Sequence, residues 1–477
     1  MPITNKSVSF FLKKFLFLSI LCTIAVGNLS AQFVHGISES YVFPTEPEVR
    51  QKLEQWQDLK FGIIIHWGLY SEAGIVESWS ICSEDEDWIP RDSTLNYNEY
   101  KEWYWNLSNI FNPTKFNPEQ WAETAKSAGM KYVVFTTKHH DGFCMFDTKE
   151  TDFSITQGAF QNHPKADVAK YVFEAFREND FMIGAYFSKP DWHSQDYWWD
   201  RYATATRNNN YDVRKHAWKW ENFKQFTFNQ ISELMHNYGN IDILWLDGGW
   251  VAPVPESEQT KRRWSQDIDM PKIVAMARQA QPSLLVVDRM VHGIYENYQT
   301  PEQQIPAQQL SVPWETCMTL GTDWGYVPNQ PFKSSRKIIH TLAEVVAKGG
   351  SLLLGVGPSP EGLLPDEVVS RLEEIGKWTS KNGKAIYETR ATEHYNDGNT
   401  WFTQSKDGKK KYAIVCFQEN EPLPSTIEWR GNIPKKGSKL ILLETGKSLQ
   451  WSVENEVVKI KLPKNISNDT AAIAIEF

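Results

Sequence analysis

Short apolar segments alternate with amphipathic helical segments over most of this 477-residue chain. The apolar segments are Phe61–Trp67, Tyr132–Thr137, Phe181–Ser188, Ile241–Leu246, Leu284–Val287 and Ser351–Val356. Helical spacing of apolar residues occurs in Pro118–Gly129, Asp167–Asn179, His216–His236, Met270–Gln281, Ser334–Lys348 and Pro365–Lys381. Strands separated by helices form parallel sheets, and at this length we expect a (β/α)8-like barrel rather than an open sheet. Fewer than eight strands are clear and residues 312–333 are ambiguous, so we expect an irregular barrel.

Beyond about residue 390 the pattern changes to short strands separated by turn residues such as Asp407-Gly408 and Thr445-Gly446. The predicted strands are Tyr412–Phe417, Thr426–Trp429, Lys439–Leu443, Val457–Leu462 and Ala471–Phe477. Such a series predicts an antiparallel β-sandwich. We therefore divide the chain into a leader, residues 1–31, a barrel domain, residues 32–390, and a β-sandwich domain, residues 391–477.

The amino terminus has the pattern of a secretory signal peptide. Lys13-Lys14 precede the apolar stretch Phe15–Val26, and Leu29-Ser30-Ala31 supplies small residues for cleavage before Gln32. We expect cleavage near Ala31 and a secreted or periplasmic protein that is free of the membrane; an uncleaved anchor is the alternative. No other segment is apolar over enough residues to span a bilayer.

Composition excludes some classes of function. The net charge is −9, whereas nucleic-acid binding requires a basic surface. Tryptophan is abundant, with 21 residues, and its flat apolar faces suit stacking on carbohydrate. Four cysteines follow the leader, at Cys82, Cys144, Cys317 and Cys416, and their spacing matches neither a metal site nor a disulfide scaffold. We expect buried free thiols, although a bridge stays possible in an oxidising compartment.

One predicted strand leads directly into an acidic residue. Asp247 follows Ile241–Leu246 and precedes Gly248-Gly249, whose flexible backbone allows a bend and the close approach of a ligand. In a parallel barrel, the carboxyl end of each strand faces the active-site mouth. Strand alternation puts Trp245 and Asp247 on one face. A carboxylate framed by tryptophans suits attack on a sugar ring; a turn aspartate is the alternative.

Other predicted strands also end in polar or aromatic residues. These ends are His66-Trp67, His139-His140, Tyr186-Phe187-Ser188 and Asp288-Arg289. Their recurrence at equivalent places predicts one shared site. A metal is a possible partner for the histidines, but adjacent residues on a strand point to opposite faces, which makes His139 and His140 a poor chelating pair. We therefore expect sugar hydroxyls as their partners, and no metal or cofactor.

Taken together, the motifs resemble the retaining α-L-fucosidases of glycoside hydrolase family 29. The matching stretches include FGIIIHWGLYS, IGAYFS, ILWLDGGW, PWETCMTLGTDWGY and SLLLGVGPSPEG, in the family's order and over about residues 55–390. The resemblance implies a (β/α)8-like barrel followed by a C-terminal β-sandwich. It also implies hydrolysis of terminal α-L-fucosyl linkages of oligosaccharides or glycoconjugates by double displacement, without a cofactor.

The resemblance also assigns roles to individual residues. Asp247 matches the nucleophile and Glu302 the general acid/base, with Glu315 as the competitor for the second role. In retaining glycosidases these two carboxyl groups lie about 5–5.5 Å apart. The substrate-binding residues implied by the resemblance, or suggested beside it, are His66, His139, His140, Tyr186, Trp245, Arg289, Trp79 and Glu77.

Two positions depart from the family pattern. Relatives often carry Glu-Trp where this chain has Glu77-Ser78-Trp79, which puts the role of Glu77 in question. Gly355 stands where an asparagine is common. Three alternatives stay open: a hydrolase for a related sugar such as an α-L-galactoside, a non-catalytic glycan-binding protein, and a metal-dependent hydrolase.

Overall fold

The computed structural model describes residues 38, 40–82, 91, 94–200, 206–260 and 264–477. The predicted signal peptide, residues 1–31, and its cleavage site near Ala31 lie outside the described residues. Within the described ranges, no helix combines the length and the apolar character needed to cross a membrane.

Seven parallel strands form the sheet of the first part of the chain. They are β1 Phe61–Ile65, β2 Tyr132–Lys138, β3 Met182–Ser188, β4 Ile243–Asp247, β5 Leu285–Asp288, β6 Glu315–Thr319 and β7 Ser351–Val356. Their order is β5-β4-β3-β2-β1-β7-β6. Six of them coincide with the predicted strands, and β6 lies within the ambiguous residues 312–333.

An irregular segment, residues 295–303, links the two edge strands β5 and β6. On one side, the amide of Asn297 donates to the carbonyl of Val286 at 2.9 Å. On the other side, the amide of Glu315 donates to the carbonyl of Gln299 at 2.8 Å, and the amide of Gln303 donates to that of Cys317 at 2.9 Å. This linking segment takes the place of a regular eighth strand and carries Glu302.

Helices connect the strands. They are α1 Pro47–Leu59, α2 Leu69–Ala73, α3 Tyr97–Asn106, α4 Pro118–Ser127, α5 Val168–Glu178, α6 Ala217–Asn237, α7 Met270–Ala280, α8 Ser335–Ala347 and α9 Asp366–Asn382. Single 3₁₀ turns occur at Ser78–Ile81, Leu107–Asn109, Glu256–Glu258 and Gly383–Ala385. Several helices begin where a polar side chain caps them: Ser334, for example, accepts a hydrogen bond from the amide of Lys337.

The alternation of side chains along each strand separates two apolar cores. Ile243 and Trp245 lie in the core inside the ring of strands. Leu244 and Leu246 lie in the larger core between the strands and the helices. Asp247, two residues after Trp245, therefore emerges on the inner face, at the carboxyl end of the sheet.

The C-terminal strands form a second sheet that is antiparallel throughout. They are β8 Thr389–Asp397, β9 Thr400–Ser405, β10 Lys411–Cys416, β11 Thr426–Arg430, β12 Leu440–Leu442, β13 Lys447–Glu454, β14 Val457–Lys461 and β15 Ala472–Glu476. Their order is β11-β14-β13-β12-β15-β10-β9-β8. The predicted fold class, a (β/α)8-like barrel followed by an antiparallel C-terminal β-sandwich, is thereby confirmed.

Strand β10 is buried on both of its faces. Ala413 and Val415 point into the core of the sandwich. Ile414 and Cys416 point the other way, into the core shared with the barrel helices. The indole of Trp378 on α9 also donates to the carbonyl of Ala472 at 2.8 Å. The sandwich therefore packs directly on the barrel helices.

Candidate active site

Asp247 ends β4, and the backbone turns sharply after it. Gly248 has a φ of +90°, a left-handed conformation that favours glycine. A Cβ atom at this position would lie 2.3 Å from Cδ of Pro190, so a side chain would not fit. The turn directs the amide of Gly248 to Oδ1 of Asp247 at 2.8 Å. This turn fixes the direction in which the Asp247 carboxylate points.

Tyr186 and Arg289 also donate to the Asp247 carboxylate. The hydroxyl of Tyr186 lies 2.8 Å from Oδ2, and Nη1 of Arg289 lies 3.0 Å from Oδ1. Charge-assisted hydrogen bonds of this kind stabilise an ionised carboxylate. Asp247 keeps 15% of its side-chain surface accessible, whereas Arg289 keeps 3%. The carboxylate is therefore held by buried groups while it faces open space.

Glu302, on the linking segment, contacts the same arginine. Nη2 of Arg289 lies 2.7 Å from Oε2 of Glu302. The other oxygen, Oε1, accepts from the indole nitrogen of Trp324 at 3.2 Å. Burial opposes the charge of Arg289, but Asp247 and Glu302 outweigh it and raise the pKa of the guanidinium. The two acids thus lie at the two terminal nitrogens, Nη1 and Nη2, of a single guanidinium group.

Glu315, the competitor of Glu302, lies inside the ring of strands. Its two oxygens accept from the hydroxyl of Tyr132 at 2.7 Å and from the indole of Trp245 at 3.2 Å. The residue is fully buried, and burial raises the pKa of its carboxyl to about 7. Both carboxyl oxygens of Glu315 are therefore hydrogen-bonded to side chains of the barrel interior, those of Tyr132 and Trp245.

The three candidate histidines are buried around Asp247. The ring centroids of His66 and His139 are 5.8 Å apart, and those of His139 and His140 are 4.2 Å apart. Burial lowers the pKa of all three imidazoles, that of His140 to about 4. They are therefore neutral near pH 7. A neutral imidazole offers one donor and one acceptor, which suits hydroxyl groups.

The expectation that His139 and His140 point to opposite faces is wrong. Strand β2 ends at Lys138, so neither histidine follows strand alternation, and their rings lie side by side. In the described part of the chain, His139, His140 and Asp247 are the group whose ligand atoms, all within 4.8 Å of one another, could surround a metal ion. Any such ion would lie beside the positive charge of Arg289, which opposes its binding.

Aromatic rings form the walls around these polar groups. Tyr186 stacks on Trp245 with centroids 5.3 Å apart, and the guanidinium of Arg289 lies 4.2 Å from the centre of the Trp245 ring. On one side, the ring of Trp79 lies 5.0 Å from that of His140. On the other, the ring of Trp324 lies 5.1 Å from that of His66. The site therefore combines a polar, hydrogen-bonding lining with large apolar faces.

Glu77 is buried and directed at a backbone group. Its Oε1 accepts from the amide of Gly325 at 2.8 Å, and burial raises the pKa of its carboxyl to about 8. The next residue, Ser78, instead contacts Nδ1 of His139 through its hydroxyl. Glu77 thus holds the loop that carries Trp324, while Ser78 supports a histidine of the site.

Gly355 makes room for Trp324. A Cβ atom at Gly355 would lie 2.6 Å from Cε3 of the Trp324 indole, a distance that side chains do not tolerate. The sequence marks Gly355 as unusual but indicates no role for Trp324, although Trp324 lies in the motif PWETCMTLGTDWGY. A large aromatic residue among the polar and small residues of this loop was the one feature of the sequence that could have indicated a role for Trp324. The partner that it contacts, Glu302, could not be read from the sequence.

Comparisons with known proteins agree with this geometry. The alpha-L-fucosidase family matches residues 29–384 of the chain. The plasma alpha-L-fucosidase of Homo sapiens is 28% identical over 432 residues, which cover 87% of this chain and 86% of that protein. A putative alpha-L-fucosidase of Caenorhabditis elegans is 29% identical over 415 residues, which cover 82% of this chain and 78% of that protein.

Solved structures give the same result. Alpha-L-fucosidase isoenzyme 1 from Paenibacillus thiaminolyticus superposes with a TM-score of 0.72 at 29% identity, covering 90% of this chain and 99% of that one. The Thermotoga maritima alpha-fucosidase in complex with fucose gives a TM-score of 0.69 at 27% identity, covering 89% and 96%. The chain therefore belongs to the alpha-L-fucosidase family, glycoside hydrolase family 29, and is a glycoside hydrolase.

Proposed function

We propose that this protein hydrolyses terminal α-L-fucosyl linkages of oligosaccharides or glycoconjugates with retention of anomeric configuration. The observation that carries the proposal is the shared contact of Asp247 and Glu302 with Arg289. Two acids joined through one guanidinium are close enough to act on the same glycosidic bond, one from each side of the anomeric carbon. Membership of the alpha-L-fucosidase family indicates that the sugar is fucose.

In the proposed mechanism, Asp247 is the nucleophile. Its carboxylate attacks the anomeric carbon, the glycosidic bond breaks, and a covalent fucosyl-enzyme forms. Glu302 gives a proton to the departing oxygen and then, as a carboxylate, takes a proton from the water that hydrolyses the intermediate. Tyr186 and Arg289, which donate to Asp247, keep the nucleophile oriented and charged until it reacts.

The lining of the site suits a 6-deoxy sugar. The three neutral histidines offer donors and acceptors to the ring hydroxyls. The tryptophans, Trp245 among them, offer an apolar surface for the methyl group of fucose. A Thermotoga maritima relative, solved in complex with fucose, supports this choice of sugar. We propose substrate-binding roles for His66, His139, His140, Tyr186, Trp245, Arg289 and Trp79; for Glu77, whose carboxyl binds Gly325, we propose a supporting role in the loop.

We propose that the reaction needs no metal. The guanidinium of Arg289 supplies positive charge beside Asp247 and opposes the binding of a divalent ion there. Activity that survives dialysis against a strong chelator is expected. Loss of activity that zinc or another divalent ion restores would show that the cluster of His139, His140 and Asp247 is a metal site.

Export is also part of the proposal. The leader pattern in residues 1–31 supports secretion or transfer to the periplasm, with cleavage near Ala31. N-terminal sequencing of the mature protein from an exporting host tests it. A mature chain that begins near Gln32 is expected, and a full-length chain retained in the cytoplasm would contradict the proposal.

One experiment tests the main activity. The protein is incubated with an aryl α-L-fucoside, the matching aryl α-L-galactoside and a panel of fucosylated oligosaccharides of defined linkage. We expect rapid release of fucose, and proton NMR during the reaction should show α-L-fucose as the first-formed anomer. First formation of the β-anomer would overturn the retaining mechanism, preference for the galactoside would favour the related-sugar alternative, and binding without turnover would indicate a glycan-binding protein.

A further inference from the structure

Ser188, the last residue of β3, connects two groups of the site. Its Oγ lies 2.8 Å from the carbonyl oxygen of Pro190 and 2.6 Å from Nδ1 of His140. The residue is fully buried, and it pairs in register with Asp247 on the neighbouring strand. The position of its hydroxyl is therefore fixed by the barrel itself.

The two contacts of Ser188 have a direction. A carbonyl oxygen can only accept, so the single hydroxyl proton of Ser188 goes to Pro190. Toward His140 the same oxygen can then only accept. Nδ1 of His140 must therefore carry a proton, and in a neutral imidazole Nε2 is then an unprotonated acceptor.

The acceptor nitrogen faces the proposed nucleophile. Nε2 of His140 lies 3.8 Å from Oδ2 of Asp247, too far for a direct hydrogen bond. Two acceptors face each other across this gap, so a donor that enters beside Nε2 finds an acceptor there. Burial keeps the imidazole neutral by lowering its pKa to about 4, so His140 does not itself supply that proton near pH 7.

We propose that Ser188 is a positioning residue that sets His140 as a hydrogen-bond acceptor, so that the site selects a sugar hydroxyl that donates to Nε2. The proposal rests on the proposed function for the identity of the sugar. It adds the direction of one hydrogen bond and the residue that decides it. A group that only accepts, such as fluorine, is rejected at that ring position.

His139 provides a comparison within the same site. Its Nδ1 also contacts a serine hydroxyl, that of Ser78. In the described part of the chain, however, the Ser78 hydroxyl has no second acceptor that fixes its direction. Ser78→Ala therefore serves as the matched control: it removes a serine–histidine contact from the site without changing the protonated nitrogen of His140.

Nitrogen NMR of the whole protein labelled with ¹⁵N-histidine tests the tautomer directly. The chain has 11 histidines, and the His140→Gln variant identifies the signals of His140 by their loss. We expect Nδ1 of His140 to appear protonated and Nε2 to appear as an unprotonated acceptor, both at pH 7. A protonated Nε2 in the wild-type protein would overturn the proposal without the need for any serine variant.

Ligand binding tests the consequence. Methyl α-L-fucoside and its 2-, 3- and 4-deoxy and deoxyfluoro analogues are compared as competitive inhibitors. At one ring position we expect both the deoxy and the fluoro analogue to bind about 10-fold more weakly than the parent, since one hydrogen bond is lost. Fluoro analogues that bind as well as the parent at all three positions would contradict the proposal.

The serine variants connect the two measurements. In Ser188→Ala the penalty for fluorine at that position should fall to about 2-fold or less, while Ser78→Ala retains it and Ser188→Thr, which keeps a hydroxyl, restores it. An unchanged penalty in Ser188→Ala would contradict the proposal. If the protein bound and hydrolysed no fucoside, the proposed function would fail, while the tautomer of His140 would still be measured independently.

Discussion

Nη2 of Arg289 lies 2.7 Å from Oε2 of Glu302, and the same guanidinium also contacts the carboxylate of Asp247. In this arrangement Oε2 of Glu302 accepts from Arg289 and Oε1 accepts from Trp324, as suits a carboxylate that activates water. To deliver a proton instead, one of its oxygens must first be protonated. The neutral indole of Trp324 is a weaker donor than the guanidinium of Arg289. We therefore expect Oε1, the oxygen that the indole contacts, to carry the proton.

Replacement of Asp247 tests the nucleophile. Asp247→Asn and Asp247→Ala should lower kcat on an aryl α-L-fucoside by roughly 10⁴-fold or more, because no carboxylate is left to form the covalent intermediate. The melting temperature and circular dichroism spectrum should stay close to those of the wild type. Turnover near the wild-type rate in either folded variant would disprove the assignment.

Replacement of Glu302 should depend on the leaving group. Glu302→Ala is expected to lose roughly 10²–10⁴-fold on substrates whose leaving group needs a proton, and much less on activated aryl fucosides. Azide should then raise turnover by replacing the activated water and should yield an α-fucosyl azide, the product expected if azide attacks the β-linked covalent intermediate. Glu315→Ala is the comparison, and if it showed these two signatures in place of Glu302→Ala, the roles would have to be exchanged.

Trp324→Phe should affect proton delivery while keeping an aromatic ring in place. The variant removes the hydrogen bond to Oε1 of Glu302, and we expect a loss of about 10-fold in kcat/KM for poor leaving groups and little change for good ones. Trp121→Phe is a suitable control, because the indole of Trp121 is buried and donates to the distant carbonyl of Gly362. Equal losses for both classes of leaving group would indicate a purely structural role for Trp324.

Gly355→Ala should displace Trp324. The added methyl group would lie 2.6 Å from the indole, so we expect the free energy of unfolding to fall by about 1–3 kcal/mol, as measured by urea denaturation. The same variant should show the leaving-group dependence of Trp324→Phe, since the indole can no longer reach Glu302. Wild-type stability and kinetics would show that the loop moves freely and does not hold the acid.

Glu315→Gln should change how stability depends on pH. Burial raises the pKa of Glu315 in the folded protein to about 7, so the folded state holds this proton more tightly than the unfolded chain does. The protonated carboxyl therefore stabilises the fold at low pH, and this contribution is lost as the pH rises towards 7. Between pH 5 and 8 the wild type should lose more stability than Glu315→Gln. The exposed Glu373→Gln serves as the control, and parallel pH curves for Glu315→Gln and the wild type would contradict the expectation.

Most of the barrel could be predicted from the sequence because its strands and helices have clear periodicity. Helix α8, predicted at Ser334–Lys348 and observed at Ser335–Ala347, is an example: its apolar residues repeat at helical spacing and Ser334 caps it. The linking segment could not be predicted, because residues 295–303 contribute separate hydrogen bonds to two strands and have no strand periodicity. Strand β13, Lys447–Glu454, was missed for a related reason, since most of its side chains are exposed.

The site was predictable only in part. Strand ends pointed to Asp247, Tyr186 and the histidines, since the carboxyl ends of parallel strands meet at one edge. Strand alternation then gave a wrong orientation for His139 and His140, because both lie beyond the end of β2. The contacts made by Ser188 and Trp324 depend on residues distant in sequence, which no local pattern encodes.

The linking segment has a consequence for how enzymes of this shape can diversify. Asp247 belongs to a regular strand whose neighbours fix it on both sides, so a change in length there would shift the register of the whole ring. Glu302 belongs to the linking segment, which is hydrogen-bonded to β5 and β6 at a few separate points. Insertions and deletions there disturb little of the surrounding sheet. Preferences for new leaving groups can therefore arise by changes in the linking segment around Glu302, while the strands that carry Asp247 and the sugar-binding residues stay unchanged.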